Sequence, residues 1–322
     1  MGSVRTAAAI TAATGLGAVA ATHVWARHVE IHRYTLREET VHVLPAGAKP
    51  VRLLHISDIH LVPDQERKLH FLRHLATLSP HLVIDTGDNI AAAAAVPVLA
   101  EAIEPLLRRP GAFVMGSNDL FAPRPKNPLR YFLPDARPEG MTARTDIDLP
   151  TEELAARLSA FGWKDLTNTR DVIELPGLQV RLAGVDDPHL ERDELPAPRP
   201  EQDPEHGRVL RLGVAHAPYR RVLDSLVGDG AEMVLAGHTH GGQLRLPGIG
   251  ALVTNCDLPR RQARGLSSWD GVPLHVSAGM GASPYSNYRL FTPPEATLLT
   301  LRPRGSERVG EGAGTPARLH DR

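Results

Sequence analysis

A single cysteine, Cys256, stands in 322 residues. That excludes a disulfide framework and any multi-cysteine zinc site. An excess of charge of either sign is missing too. The 36 Lys and Arg against 37 Asp and Glu leave a formal net charge of −1, so no bulk electrostatic attraction to nucleic acid is expected. No internal repeat is visible. Charged residues are lacking altogether from Thr6 to Ala26, a stretch long enough to cross a bilayer, although Ala, Thr and Gly make it weakly apolar. Three readings stay open for it: a membrane anchor, a secretory signal with an A-x-A site at Ala18-Val19-Ala20, or an Ala-rich surface helix. Arg5 precedes the stretch while Arg27, Arg33 and Arg37 follow it. By the positive-inside tendency that leaves the main domain in the cytoplasm, whereas a cleaved signal puts it outside. Membrane association is the expectation, on an undetermined face.

What is present is a series of short apolar runs that end in polar residues. "VRLLHIS" (51–57), "HLVIDTG" (81–87), "GAFVMG" (111–116), "LRLGVAH" (210–216) and "EMVLAGH" (232–238) read as buried strands whose C-terminal ends carry a site. Leu69, Leu72, Leu75 and Leu78 fall at helical spacing between the first two runs, with Pro80 as a stop. "TEELAARLSAFGW" adds a helical stripe with a Thr cap at 151. Later runs, "DVIELPGLQVRLAGV", "GGQLRLPG", "PLHVSAG" and "EATLLTLRP", pair like hairpins or alternate. The length allows one large α/β domain or two small ones, and two sheets with helices outside accommodate the pattern. The expected organisation is an N-terminal segment and linker over 1–40, a catalytic domain over 41–303, and a disordered tail over 304–322. Two Pro- and charge-rich stretches, 121–150 and 186–207, read as long covering loops or disordered segments.

Five of the strand ends carry residues suited to metal ions. "SDIH" holds Asp58 and His60, which on an extended chain point the same way and reach one ion. "TGDN" holds Asp88, a carboxylate able to bridge two ions. "VMGSND" holds Ser117, Asn118 and Asp119. "VAHAP" holds His216, and "AGHTHGGQ" holds His238 and His240. Singly, such an Asp is usually a turn former or helix cap and such a His a packed core residue. Together they gather ligand types at strand C-terminal ends, the edge where open α/β sheets assemble sites. His55, inside its strand, reads as core, Asn89 as a turn residue and Cys256 as packing.

The order D-x-H, G-D, G-S-N-D, H, G-H-x-H over roughly Val51 to Pro303 resembles the calcineurin-like metallophosphoesterase superfamily, with four of five blocks matching residue by residue. An N-terminal hydrophobic segment ahead of one catalytic domain is similar to its bacterial membrane-associated YkuE-like branch. The resemblance implies a four-layer α/β/β/α sandwich of two mixed sheets. It implies that Asp58, His60 and His240 hold one metal, that His216 and His238 hold another, and that Asp88 bridges. Mixed carboxylate and imidazole ligands suit Mn²⁺, Fe or Zn²⁺. Two such ions share a hydroxide and clamp phosphoryl oxygens, so Asp88 and His216 count as catalytic as well as ligating. The family's third block supplies Asn as ligand followed by a His. Aligned without a gap, Ser117 takes the Asn slot and Asn118 the His slot; shifted by one, the amide oxygen of Asn118 becomes the ligand, leaving Ser117 to the turn or the substrate. The family histidine is absent either way. His189 in "VDDPHL" is a replacement acid, or else a surface-loop residue. Tyr285 and Arg289 in "SAGMGASPYSNYR" are substrate contacts or parts of a structural turn. The expected function is hydrolysis of a phosphoester, a phosphodiester or lipid-linked one, with a catalytically weak metal-binding scaffold that binds a partner as the alternative. Nothing in the sequence speaks to oligomeric state.

Overall fold

A computed structural model describes residues 17–125, 146–198 and 207–306. Its strands are β1 (Thr35–Leu44), β2 (Val51–Ile56), β3 (Leu82–Asp85), β4 (Gly111–Phe113), β5 (Lys164–Asp165), β6 (Arg170–Leu175), β7 (Leu178–Gly184), β8 (Val209–Ala215), β9 (Met233–Ala236), β10 (Arg245–Leu246), β11 (Gly250–Ala251), β12 (Gly265–Trp269), β13 (Val272–Val276) and β14 (Glu295–Pro303). One six-stranded sheet runs β1-β14-β2-β3-β4-β5 and the other β12-β13-β9-β8-β7-β6, with β10 and β11 a separate ribbon. Both sheets are mixed. β2 to β5 are parallel with β14 antiparallel beside β2. In the second sheet β13, β9, β8 and β7 are parallel, and β12 and β6 run antiparallel at the edges.

Parallel strands need crossovers, and helices supply them. Glu66–Ala76 joins β2 to β3, Ala95–Leu107 joins β3 to β4, and Arg220–Gly228 joins β8 to β9. Because successive strand residues face opposite ways, adjacent apolar residues sort into different layers. Leu54 and Val83 pack outward on Leu72 and Leu99 of the helices. Leu53 and Ile84 face inward against Leu212 and Leu235 of the other sheet. Val234 and Leu274 face Leu223 and Leu226 on the far side. Three cores therefore separate four layers, α/β/β/α, as the resemblance implies. At one edge polar contacts also join the sheets: His55 Nδ1 of β2 lies 2.8 Å from His275 Nδ1 of β13.

Several expectations need adjustment. The boundary at residue 40 cuts a strand, since β1 begins at Thr35 and pairs in parallel register with β14. The domain also extends further back, because Arg289 N donates to Ala26 O and Thr292 N to the buried Glu30 carboxylate at 2.6 Å. Thr151 does not cap its helix. It is the first helical residue, and its hydroxyl donates to the Asp119 carbonyl at 2.6 Å. Of the expected membrane stretch, residues 6–16 lie outside the described residues, as do 126–145 and 199–206 of the covering loops and 307–322 of the tail. Residues 17–24 are helical, and among the described residues no helix is long and apolar enough to cross a membrane.

Candidate metal centre

The candidate ligands sit on left-handed turns, not on extended chain. Asp58 (φ 49°), His60 (φ 44°), Asp88 (φ 58°), His238 (φ 67°) and His240 (φ 49°) all have positive φ. Non-glycine residues adopt this region uncommonly, Asp and His more readily than most. The extended geometry expected for D-x-H is thus corrected, and both this pair and H-x-H leave their strands through two left-handed residues. Glycines elsewhere let these turns close. A Cβ at Gly116 would collide with the Asp88 carboxylate, and one at Gly279 would meet Asp58 Cβ at 2.5 Å.

Two groups of ligand atoms result. Asp58, His60 and His240 have theirs within 4.8 Å of one another, and so do Asp58, Asp88 and His216. Nε2 of His240 is 3.7 Å from Asp58, Nε2 of His60 3.4 Å from Asp88, and Nε2 of His216 3.6 Å from Asp88. The first trio is the set assigned to one ion. In the second group Asp58 stands where His238 is expected. The His238 ring lies 5.2 Å from that of His216, its Nε2 donates to Asn255 O at 3.2 Å, and its backbone N–H holds the Asp58 carboxylate at 3.0 Å.

Each ring is aimed by what its other atoms do. Nδ1–H of His216 donates to Thr86 O at 2.7 Å, which turns Nε2 toward Asp88. The buried nitrogens His60 Nε2 and His216 Nε2 have no hydrogen-bond partner. Orphaned imidazole nitrogens facing buried carboxylates fit a cation.

Burial and neighbouring charge move these groups in different directions. Burial pushes Asp58 up to about 6 and His60 down to about 4, the neutral form a metal requires. Burial likewise holds His240 well below its usual value. For His216 burial is outweighed by Asp88, Asp187 and Asp58, whose charges lift it to about 10.

Asn118 presents its amide to the carboxylate of Asp88, with Nδ2 2.7 Å from Oδ2 and its backbone N–H 2.7 Å from Oδ1. Ser117 is buried, and its hydroxyl meets the Asn118 amide at 3.4 Å. Asp119 does more than the turn requires. Its carboxylate accepts backbone N–H groups from Gly116 (3.0 Å), Asp88 (2.8 Å), Asn89 (2.7 Å) and Ile90 (3.3 Å), tying two strand-end loops together. Its place three residues after the cap glycine is the sequence signal that could have found it.

His189 is not a surface-loop residue. It is buried, its ring lies 4.5 Å from that of His238, and Tyr219 Oη meets its Nδ1 at 3.0 Å. Arg289 as a substrate contact is corrected, since its side chain is fully buried and engaged by main-chain carbonyls. It donates to the carbonyls of Gly279, Gly281 and Thr292 and reaches His240 Nδ1 at 3.3 Å. Tyr285 is exposed on the same loop. Sequence reading also passed over Lys68, a buried ammonium that donates to Ile59 O at 2.5 Å and His60 O at 3.2 Å. Burial first, then Arg289, lowers it to about 7.

Two packed mixed sheets with carboxylates and imidazoles converging at one edge define a metal-dependent hydrolase scaffold. Residues 51–242 match the model of the calcineurin-like phosphoesterase family, and the chain belongs to that family; it is a metallophosphoesterase. It is 26% identical over 228 residues to the uncharacterized protein YpbG of Bacillus subtilis, covering 69% of this chain and 71% of that one. It is 30% identical over 144 residues to the phosphodiesterase YaeI of Escherichia coli, covering 45% of this chain and 49%, about half, of that one. A purple acid phosphatase, PPD1 of yellow lupin (Lupinus luteus) seeds, superposes with a TM-score of 0.40 at 12% identity over 74% of this chain and 46% of that chain.

Proposed function

We propose that this protein hydrolyses a phosphodiester at a centre of two Mn, Fe or Zn ions. The observation that carries the reading is the pair of adjoining ligand groups that share Asp58. The name of the YaeI relative supports a diester. Asp58, His60 and His240 would hold one ion and Asp58, Asp88 and His216 the other, with His238 and the Asn118 amide beside the second. Bound there, such ions would supply an acidified water and neutralise phosphoryl charge, which is most of what phosphoryl transfer needs. The chain's own part is to fix donors in place. Thr86 O orients His216, the His238 amide orients Asp58, and Asp119 holds the loop of Asp88. His189, beside His238 with Tyr219 on its Nδ1, takes the proton-donor task that the third block lacks.

The test is a metal-reconstituted assay on aryl phosphomonoesters and phosphodiesters with Asp88→Asn as control. Turnover of the diester is expected with the native chain, and a loss of about 10³-fold or more in the variant. Ion binding without hydrolysis of any activated aryl ester would favour a binding scaffold instead.

A further inference from the structure

Most of the large apolar side chains exposed among the described residues come from three segments: the N-terminal helical stretch, the β10–β11 ribbon and the loop before β14. Val24 and Trp25 belong to the first, Leu246 and Ile249 to the second, Phe291 to the third. The segments touch. Leu244 bridges Leu290, Arg289 N donates to Ala26 O at 3.0 Å, and the His23 ring lies 5.4 Å from Tyr288. They therefore form one face. It adjoins the centre through His240, which opens the Gly241-Gly242 turn leading to β10 and is contacted by Arg289. Among the candidate histidine and carboxylate ligands His240 is the least buried, so the centre opens toward this side.

Phe291 is 55% exposed and held at φ 55°, a conformation a bulky residue rarely adopts. Strain that keeps an apolar ring in water suggests a use for the ring. Two exposed basic groups touch these segments: the Arg33 guanidinium lies 5.5 Å from the Trp25 ring, and Arg260 Nη1 donates to Leu252 O beside β11 at 3.1 Å, in a chain whose net charge is −1. The uncharged stretch Thr6–Ala26 ends on this face. Apolar side chains on separate loops, a basic rim and continuity with an uncharged segment match the interface of an anionic bilayer.

We propose that this face lies on a membrane and holds the metal centre at the lipid headgroups, so that the phosphoester it takes is carried on a lipid. The lipid-linked substrate rests on the phosphoesterase reading; the docking face does not. The full chain carrying Phe291→Trp is mixed with vesicles of phosphatidylcholine and phosphatidylglycerol, with and without brominated acyl chains. The added indole emission is expected to be quenched by the brominated lipid and shielded from iodide. Emission that iodide reaches and brominated lipid leaves alone overturns the proposal, even if the N-terminal stretch anchors the chain. In a second arm, Ile249→Ser with Phe291→Ser is expected to retain hydrolysis of a soluble aryl phosphodiester. Hydrolysis of a phosphodiester lipid in vesicles should fall about tenfold. An equal loss on both substrates, or sedimentation of the native chain without lipid as a dimer that the double variant dissolves, also overturns it. Quenching with no hydrolysis of either substrate leaves the membrane face standing and sinks the phosphoesterase reading.

Discussion

At the scale of single residues, the buried histidines fall into two populations. His216 is lifted to about 10 by carboxylates that outweigh its burial, whereas burial lowers His275 to about 3 and its neighbour His55 in the same direction. A lowered native value means that the unfolded chain binds the extra proton first. His275 therefore contributes stability that is complete above its usual 6.5 and is lost as pH falls toward 3, with a slope of about 1.4 kcal/mol per pH unit. Replacing it by a non-titrating amide, His275→Gln, is expected to flatten the acid limb of urea-unfolding free energies by about that slope between roughly pH 4 and 6. A second residue prediction concerns the missing family histidine. His189→Ala is expected to lower turnover of an alkyl phosphodiester by about 10²-fold and that of a nitrophenyl ester far less, because a good leaving group needs no proton. Steady-state kinetics on the two esters reads the difference.

At the scale of elements, the loops after β3 and β4 act as one unit because Asp119 clamps both. Asp119→Ala leaves four buried N–H groups without their acceptor. The expected cost is about 3–5 kcal/mol in urea unfolding, with weakened metal retention. Asp119→Asn, which keeps one acceptor oxygen, should recover part of it. The same elements show what the sequence could reveal. Short apolar runs ending in Asp or His marked β2, β3, β8 and β9, because burial on both faces leaves a local trace. Lys68 was legible in principle, since it shares the helix face of Leu72 and Leu75 at i+4 and i+7. β1 was not, because more than half of "TLREETVHVL" is polar and its partner β14 lies at the far end of the domain. The burial of Arg289 was hidden for a different reason: the carbonyls of residues 279, 281 and 292 are near it in sequence, but only the folded loop turns all three onto one guanidinium. Left-handed turns at the ligands have no signature beyond the tolerance of Asp and His for them.

At the scale of the molecule, the candidate centre is a seam between two sheets. Asp58 and Asp88 come from one, His216, His238 and His240 from the other, and the backbone of His238 is bonded to Asp58 across the gap. Ions placed there cross-link the two halves. Removal of metal with a chelator is expected to lower Tm by about 5 °C, the shift for roughly 2.7 kcal/mol of linkage in a domain of this size. Calorimetry checks this, and added Mn²⁺ or Zn²⁺ should reverse it. In Asp88→Asn the same chelation should move Tm little.

The unusual backbone at residues 58, 60, 88, 238 and 240 sets fold endurance against chemistry. Glycine at any of these positions relieves about 1 kcal/mol of local strain, while deleting a ligand. A library of this gene sorted for heat resistance in chelator, where no ion offsets the strain, and with no demand for turnover, should accumulate glycine or asparagine at these five codons before it improves the cores. Only continued selection for hydrolysis keeps Asp and His where the chain finds them uncomfortable.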